Sequence, residues 1–255
     1  MRRVVLLMAV AVLGVAGVAY AASNLYVVKA RITPVKSGTL AHPKPIGARI
    51  EIDVSTTPPG LRPIVVFNYS ILISGVHENT NSFPTCSSST LQSKSQRGCP
   101  RGSKAGSGFL LVEVGPTGNN AAAYSATCRV DVDVFNSGHG HLTLYAFTRR
   151  EVNACPLLKP IAINLTLRTK RKNLTASFSV PVALRHFPNG ADDAITQAVL
   201  NLPVHRRTLT VKGVRRTVGL LASVACPVNH QRQVTITFTQ EDGAKRTATA
   251  NTPCR

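Results

Sequence analysis

The chain has 255 residues, 44% hydrophobic and only 5% aromatic with no tryptophan, and carries 30 Lys and Arg against 11 Asp and Glu, a formal charge of +19. That length suits one large domain or two small ones and rules out a chain too short to bury a core. The scarcity of aromatics argues against a stacking platform for bases or sugars, and the charge favours anionic partners through long-range attraction.

Residues 1–21 read as a secretory signal peptide. Arg2 and Arg3 give a positive start, Val4 to Tyr20 is an apolar run of 17 residues, and Ala19-Tyr20-Ala21 supplies an A-x-A cleavage signal. An uncleaved anchor is the lesser alternative. Cleavage leaves residues 22–255, with 28 basic and 11 acidic side chains and a formal charge of +17.

The rest of the chain reads as strands. Residues 24–32 form a first candidate, followed by a stretch rich in turn residues over 34–45. Ile50, Ile52 and Val54 alternate with Glu51, Asp53 and Ser55, the pattern of a half-buried strand, and Thr57-Pro58-Pro59-Gly60 stops it. A strand is expected over 63–73, then a long Ser/Asn/Gly-rich loop over 77–108 holding Cys86 and Cys99. Strand character resumes at 109–114. In 128–135, Val130, Val132 and Val134 alternate with Arg129, Asp131 and Asp133. Residues 136–140 then turn the chain into 141–147, the clearest hairpin in the sequence. A division into two domains is an option near 156–160.

Further strands are expected at 161–167, 174–182, 207–212 and 217–224, while 192–200 fits a strand or a short helix. A last hairpin, 233–240 and 245–251, flanks Glu241-Asp242-Gly243. About a dozen short strands with regular turns and few helical patterns predict an all-β fold, an antiparallel β-sandwich.

Six cysteines in an exported chain predict three disulfides, with 15 pairings open. Sequential pairing is the expectation. Cys128 and Cys155 flank one hairpin, Cys226 and Cys254 flank another, and Cys86–Cys99 would tie the long loop. No C-x-x-C redox pair or cysteine knuckle occurs, and no metal or other cofactor is expected.

The motifs that carry chemistry are weak. His139-x-His141 spans a glycine turn and lacks a third ligand. Asp131 and Asp133 share a strand face at roughly 7 Å, a spacing within reach of a glycosidase pair but equally that of any polar strand face. Glu51 and Asp53 repeat it. No G-x-S-x-G elbow is present. The stretch from Arg101 to Gly108 lacks Walker order, and an anion nest with Lys104 is a minor reading.

Phe83-Pro84-Thr85-Cys86, then Cys99-Pro100-Arg101-Gly102-Ser103-Lys104-Ala105-Gly106-Ser107-Gly108, and the ending with Glu241-Asp242-Gly243 and Cys254 resemble a group of uncharacterised exported proteins of high-GC Gram-positive bacteria. The resemblance spans about 62–254. It implies secretion and β-architecture and supplies no catalytic residues. The closing hairpin, with Val234-Thr235-Ile236-Thr237-Phe238, is poorer in Tyr and Phe than that group's.

The expectation is therefore a secreted, non-enzymatic binding protein of the cell envelope or extracellular space. Its anionic partner would be lipid, wall polymer or acidic glycan, with no specific nucleic-acid target. The cations expected to hold it are Lys170, Arg171, Lys172, Arg206, Arg207, Arg215 and Arg216. The alternatives are a hydrolase of a wall or extracellular polymer, joining Asp131, Asp133 or the glycine-rich stretch to a histidine such as His141, and a structural or adhesin-type scaffold.

Overall fold

The computed structural model describes residues 23–116, 126–149, 155, 159–187, 190–211 and 213–255. The expected signal peptide lies outside the described residues, as do 156–158 of the expected division. β1 (Ser23–Thr33) and β2 (Lys44–Thr57) form a first antiparallel pair, and β3 (Val66–Ser74) and the short β4 (Val76–Glu78) follow. A helix, α1 (Ser88–Lys94), precedes β5 (Lys104–Pro116), β6 (Ala126–Gly138) and β7 (His141–Phe147). Next come β8 (Ile161–Lys170), β9 (Asn173–Ser179) and β10 (Ala191–Leu202). The chain finishes through β11 (Arg206–Val211), β12 (Val214–Gly219), β13 (Leu221–Ser223), β14 (Gln231–Gln240) and β15 (Lys245–Pro253).

Thirteen of these strands share one sheet in the order β15-β14-β3-β9-β8-β7-β6-β5-β10-β2-β13-β4, with β1 also paired to β2; β11 and β12 form a separate ribbon. All pairings are antiparallel. The expected sandwich takes a different form. Its strands do not divide into two hydrogen-bonded sheets; one twisted sheet curls into an open half-barrel and buries its apolar face against itself. Val130, Val132 and Val134 point into this core with Ile50, Ile71 and Leu144. β7 and β8, which flank the expected division, are ladder neighbours. Asp192–Leu200 is strand throughout, within β10.

Residues 77–108 hold more order than a loop. Ser87 caps α1 by accepting from the Thr90 amide, and Leu91 is wholly buried with Cys86, Phe135 and Tyr145 in a small cluster on the outer face of the sheet. Asn136, almost wholly buried, donates to the carbonyls of Thr80, Phe83 and Pro84 at 2.8, 3.2 and 3.0 Å and so pins this segment to β6. Three disulfides join the sequential pairs Cys86–Cys99, Cys128–Cys155 and Cys226–Cys254.

Candidate functional site

The antiparallel order sends alternate turns to opposite ends of the half-barrel. One end collects the β6–β7 turn, the β8–β9 turn, the 75–82 segment and the β11–β12 ribbon. Lys170, Arg171 and Lys172 form the β8–β9 turn, all exposed, with Arg171 at φ +57°. The Arg171 carbonyl accepts from His77 Nε2 at 2.6 Å. Five residues further on, the Ser82 carbonyl accepts from Arg207 Nη1 at 2.8 Å, and between them Asn79 Nδ2 donates to Gly219 at 2.9 Å. Five residues reach at most about 18 Å, so the lysine-rich turn and the arginine ribbon sit round one short segment.

The ribbon's register divides its arginines. Arg207 opposes Val218 and Arg216 opposes Leu209, whereas Arg206 opposes Gly219 and Arg215 opposes Thr210. One face therefore carries Arg207, Leu209, Val214, Arg216 and Val218; the other carries Arg206, Thr208, Thr210, Arg215 and Thr217. Among the described residues none of the seven cations has a carboxylate within 4.0 Å, as is also true of Arg31, Lys36, Lys44, Arg168, Lys245 and Arg246, whereas Lys29, Arg49, Arg62, Lys104, Arg129, Arg149 and Arg185 each have one. The sequence explains this locally, because no Asp or Glu lies between Glu151 and Asp192 or between Asp193 and Glu241.

The other sequence candidates are placed differently. Asp131 and Asp133 do share a face, but both are buried and neutralised. Asp131 meets Arg129 at 3.1 Å and Arg149 at 3.0 Å, and Asp133 meets Lys104 at 2.7 Å. Lys104 is thus engaged by a carboxylate at the place where an anion nest would need it. His141 lies four residues along β7 from Tyr145, the partner of Asp133, which is roughly 14 Å away along the strand. The structure does not bring that imidazole to the aspartates. His139 occupies the turn at φ +52°, its amide held by Asn81 Oδ1 at 2.7 Å. No group of three His, Cys, Asp or Glu suited to a metal occurs among the described residues. Glu51 and Asp53 pair with Lys29 at 3.4 and 3.0 Å. The glycine-rich stretch is the start of β5, where Gly106 and Gly108 admit the backbone of β10.

At the opposite end lies a buried ionic cluster that the sequence reading missed. Arg62, with no exposed surface, donates through Nη1 to the carbonyls of Asp192 at 2.6 Å and Gly115 at 3.3 Å, and through Nη2 to Pro116 at 3.1 Å. Its guanidinium stands 3.7 Å from the Asp192 carboxylate. Asp192 contacts His186 Nδ1 at 2.6 Å, and His186 Nε2 contacts Glu241 at 2.8 Å, with Arg185 closing on the same glutamate. Asp193 lines an apolar cavity of about 70 Å³ inside the curl. Burial pushes its carboxyl up to about 7; the Arg62 guanidinium opposes this and the Asp192 charge adds to it. Burial also raises Glu113, against the opposing pull of Arg62. A second cavity of about 50 Å³ shares Ile50, Ile71, Leu144 and Leu200 with the first. Each has room for only a few waters. The adjacent Asp192-Asp193 is the one sequence signal of this cluster; its guanidinium comes from 130 residues away.

Comparison with protein-family models, with curated proteins and with solved structures finds no match to this chain.

Proposed function

We propose that the protein is a secreted, non-enzymatic binding protein of the cell envelope or extracellular space, and that its cationic end holds an anionic partner: lipid, wall polymer or acidic glycan. The observation that carries this reading is the gathering of Lys170, Arg171, Lys172, Arg206, Arg207, Arg215 and Arg216 around residues 77–82 with no carboxylate partner among the described residues. Unpaired cations in such a group repel one another, and an arriving polyanion relieves that repulsion. Each exposed pair contributes about 0–1 kcal/mol and fades beyond about 8 Å at physiological salt, so several must act together. Three disulfides accord with an oxidising compartment, as does the expected signal peptide. The hydrolase reading draws no support from Asp131 and Asp133, which are already held by basic side chains.

Neutralising the turn tests the assignment. Lys170→Gln, Arg171→Asn and Lys172→Gln remove three charges, and Asn tolerates the left-handed backbone at 171. Affinity for an anionic polymer or anionic vesicles at low salt is expected to fall about tenfold or more, at about 0.5–1 kcal/mol per contact, with thermal stability nearly unchanged. Unaltered binding would overturn it.

A further inference from the structure

The cationic end also presents apolar side chains to solvent, at the tips of three separate turns. Val228 is 98% exposed in the turn that joins β13 to β14, closed by the His230 amide on the Pro227 carbonyl. Leu40 is 54% exposed in the turn closed by Thr39 and His42. Val214 is 54% exposed beside Gly213, at the tip of the β11–β12 ribbon, where a side chain in place of Gly213's hydrogen would meet nothing within 4 Å.

Two of these turns adjoin β13 directly, while the Val214 tip stands five residues out along β12 from Gly219, roughly 17 Å away. The ribbon runs into it through Gly219 and Leu220. The amide of Gly38 donates to Ser223 Oγ at 3.4 Å, and the amide of Val224, just beyond the strand, donates to the Gly75 carbonyl at 2.9 Å. Three exposed aliphatic tips and seven cations with no carboxylate partner among the described residues therefore lie toward one end of the molecule. The other large exposed apolar side chains lie elsewhere: Leu25 and Val27 side by side on one face of β1, Leu72 on β3, and Val182 beside the buried ionic cluster.

A soluble polyanion pairs with cations but gives nothing to aliphatic tips held in water. A bilayer surface with anionic headgroups rewards both, because charge is met at the phosphates and apolar surface is buried just beneath them. We propose that this end docks on an anionic lipid bilayer, with Leu40, Val214 and Val228 entering the headgroup layer while the lysines and arginines meet lipid phosphates. The inference rests on the cationic-end reading above and narrows its partner to a membrane. Burying one such tip increases affinity about tenfold, so the three together separate a bilayer from any soluble anion of equal charge.

The absence of tryptophan from the chain gives a clean reporter. Val228→Trp in the oxidised protein is titrated with vesicles of phosphatidylcholine and phosphatidylglycerol, with vesicles of phosphatidylcholine alone, and with soluble polyphosphate. Expected are a blue shift and quenching by brominated lipid with the anionic vesicles only, and polyphosphate binding without a blue shift. In a second arm, Leu40→Ser, Val214→Thr and Val228→Ser together should weaken vesicle binding about 100-fold or more and leave polyphosphate binding unchanged. Vesicle binding equal in parent and triple variant, or an unshifted Trp on bound vesicles, overturns the membrane inference while the cationic reading stands. Failure to bind either vesicles or polyphosphate overturns both.

Discussion

Asp193 is a carboxyl group whose neighbours are mostly hydrocarbon. Its folded pKa of about 7 stands well above the ordinary value of 3.8, because burial disfavours the charged form. Between those two values the folded chain holds a proton that the unfolded chain releases. This contribution to stability is therefore full below about pH 4, is lost as pH rises toward 7, and stays lost above that. The full swing is about 4 kcal/mol. Asp193→Asn should match the parent in urea unfolding at pH 4 and exceed its stability by a few kcal/mol at pH 8; an identical pH profile in both would show that the carboxyl is not held neutral by the fold. Arg232 presents the converse case. It is fully buried, and its Nη2 donates to Ser37 Oγ, Ser223 Oγ and the Ala225 carbonyl at 2.6, 2.7 and 3.3 Å, while Nε and Nη1 have no hydrogen-bond partner among the described residues. Burial accordingly lowers its pKa. The burial of neither residue was legible in the sequence: an isolated Arg, or two adjacent Asp, reads as solvent-facing when the side chains that bury it are distant in the chain.

Hairpins were legible because their information is local. Alternation over 128–135 and a glycine-bearing turn sufficed for β6 and β7, and Glu241-Asp242-Gly243 for β14 and β15. β10 was ambiguous as a sequence because Asp192 and Asp193 are both buried, which spoils the alternation of polar and apolar positions. The helix inside 77–108 was missed because a serine run reads as loop until Ser87 is recognised as its cap. The glycines at 106 and 108 belong to packing, as a Cβ on Gly108 would fall 1.9 Å from the Val199 carbonyl oxygen. Gly108→Ala should therefore separate β5 from β10 locally and cost more than about 3 kcal/mol. Gly213→Asn, at a free positive-φ tip, should be nearly neutral in the same denaturant titration.

The antiparallel direction of the strands followed from the sequence; their number and closure did not. Fifteen form among the described residues where about a dozen were expected, and the single strand expected over 217–224 is broken at Leu220 between β12 of the ribbon and β13 of the sheet. Two sheets and one curled sheet share the same alternation, and the choice is made by pairings such as β2 with β10 and β3 with β14, whose partners lie far apart in the chain. The disulfides were more accessible, since each closes a short span. Cys226–Cys254 closes 28 residues and Cys86–Cys99 closes 13, worth about 3.6 and 3 kcal/mol in the chain-entropy model. Replacing Cys226 and Cys254 with Ala should lower unfolding stability by about 3–4 kcal/mol; a loss under about 1 kcal/mol would mean that the unfolded chain is already constrained there.

The curl leaves β1 and β15 side by side without a ladder between them. Side chains join them instead: Thr252 Oγ1 accepts from the Ile32 amide at 3.3 Å, and behind β15 two residues of β14 reach Tyr26, Gln240 donating to its hydroxyl at 2.9 Å and Phe238 stacking on its ring at 3.9 Å. An uncovered strand edge offers a raw margin to any passing chain, a template for cross-β growth. Here β1 and β15 shield each other, and a chain could pair along this seam only after residues 23–33 had peeled away from 245–253.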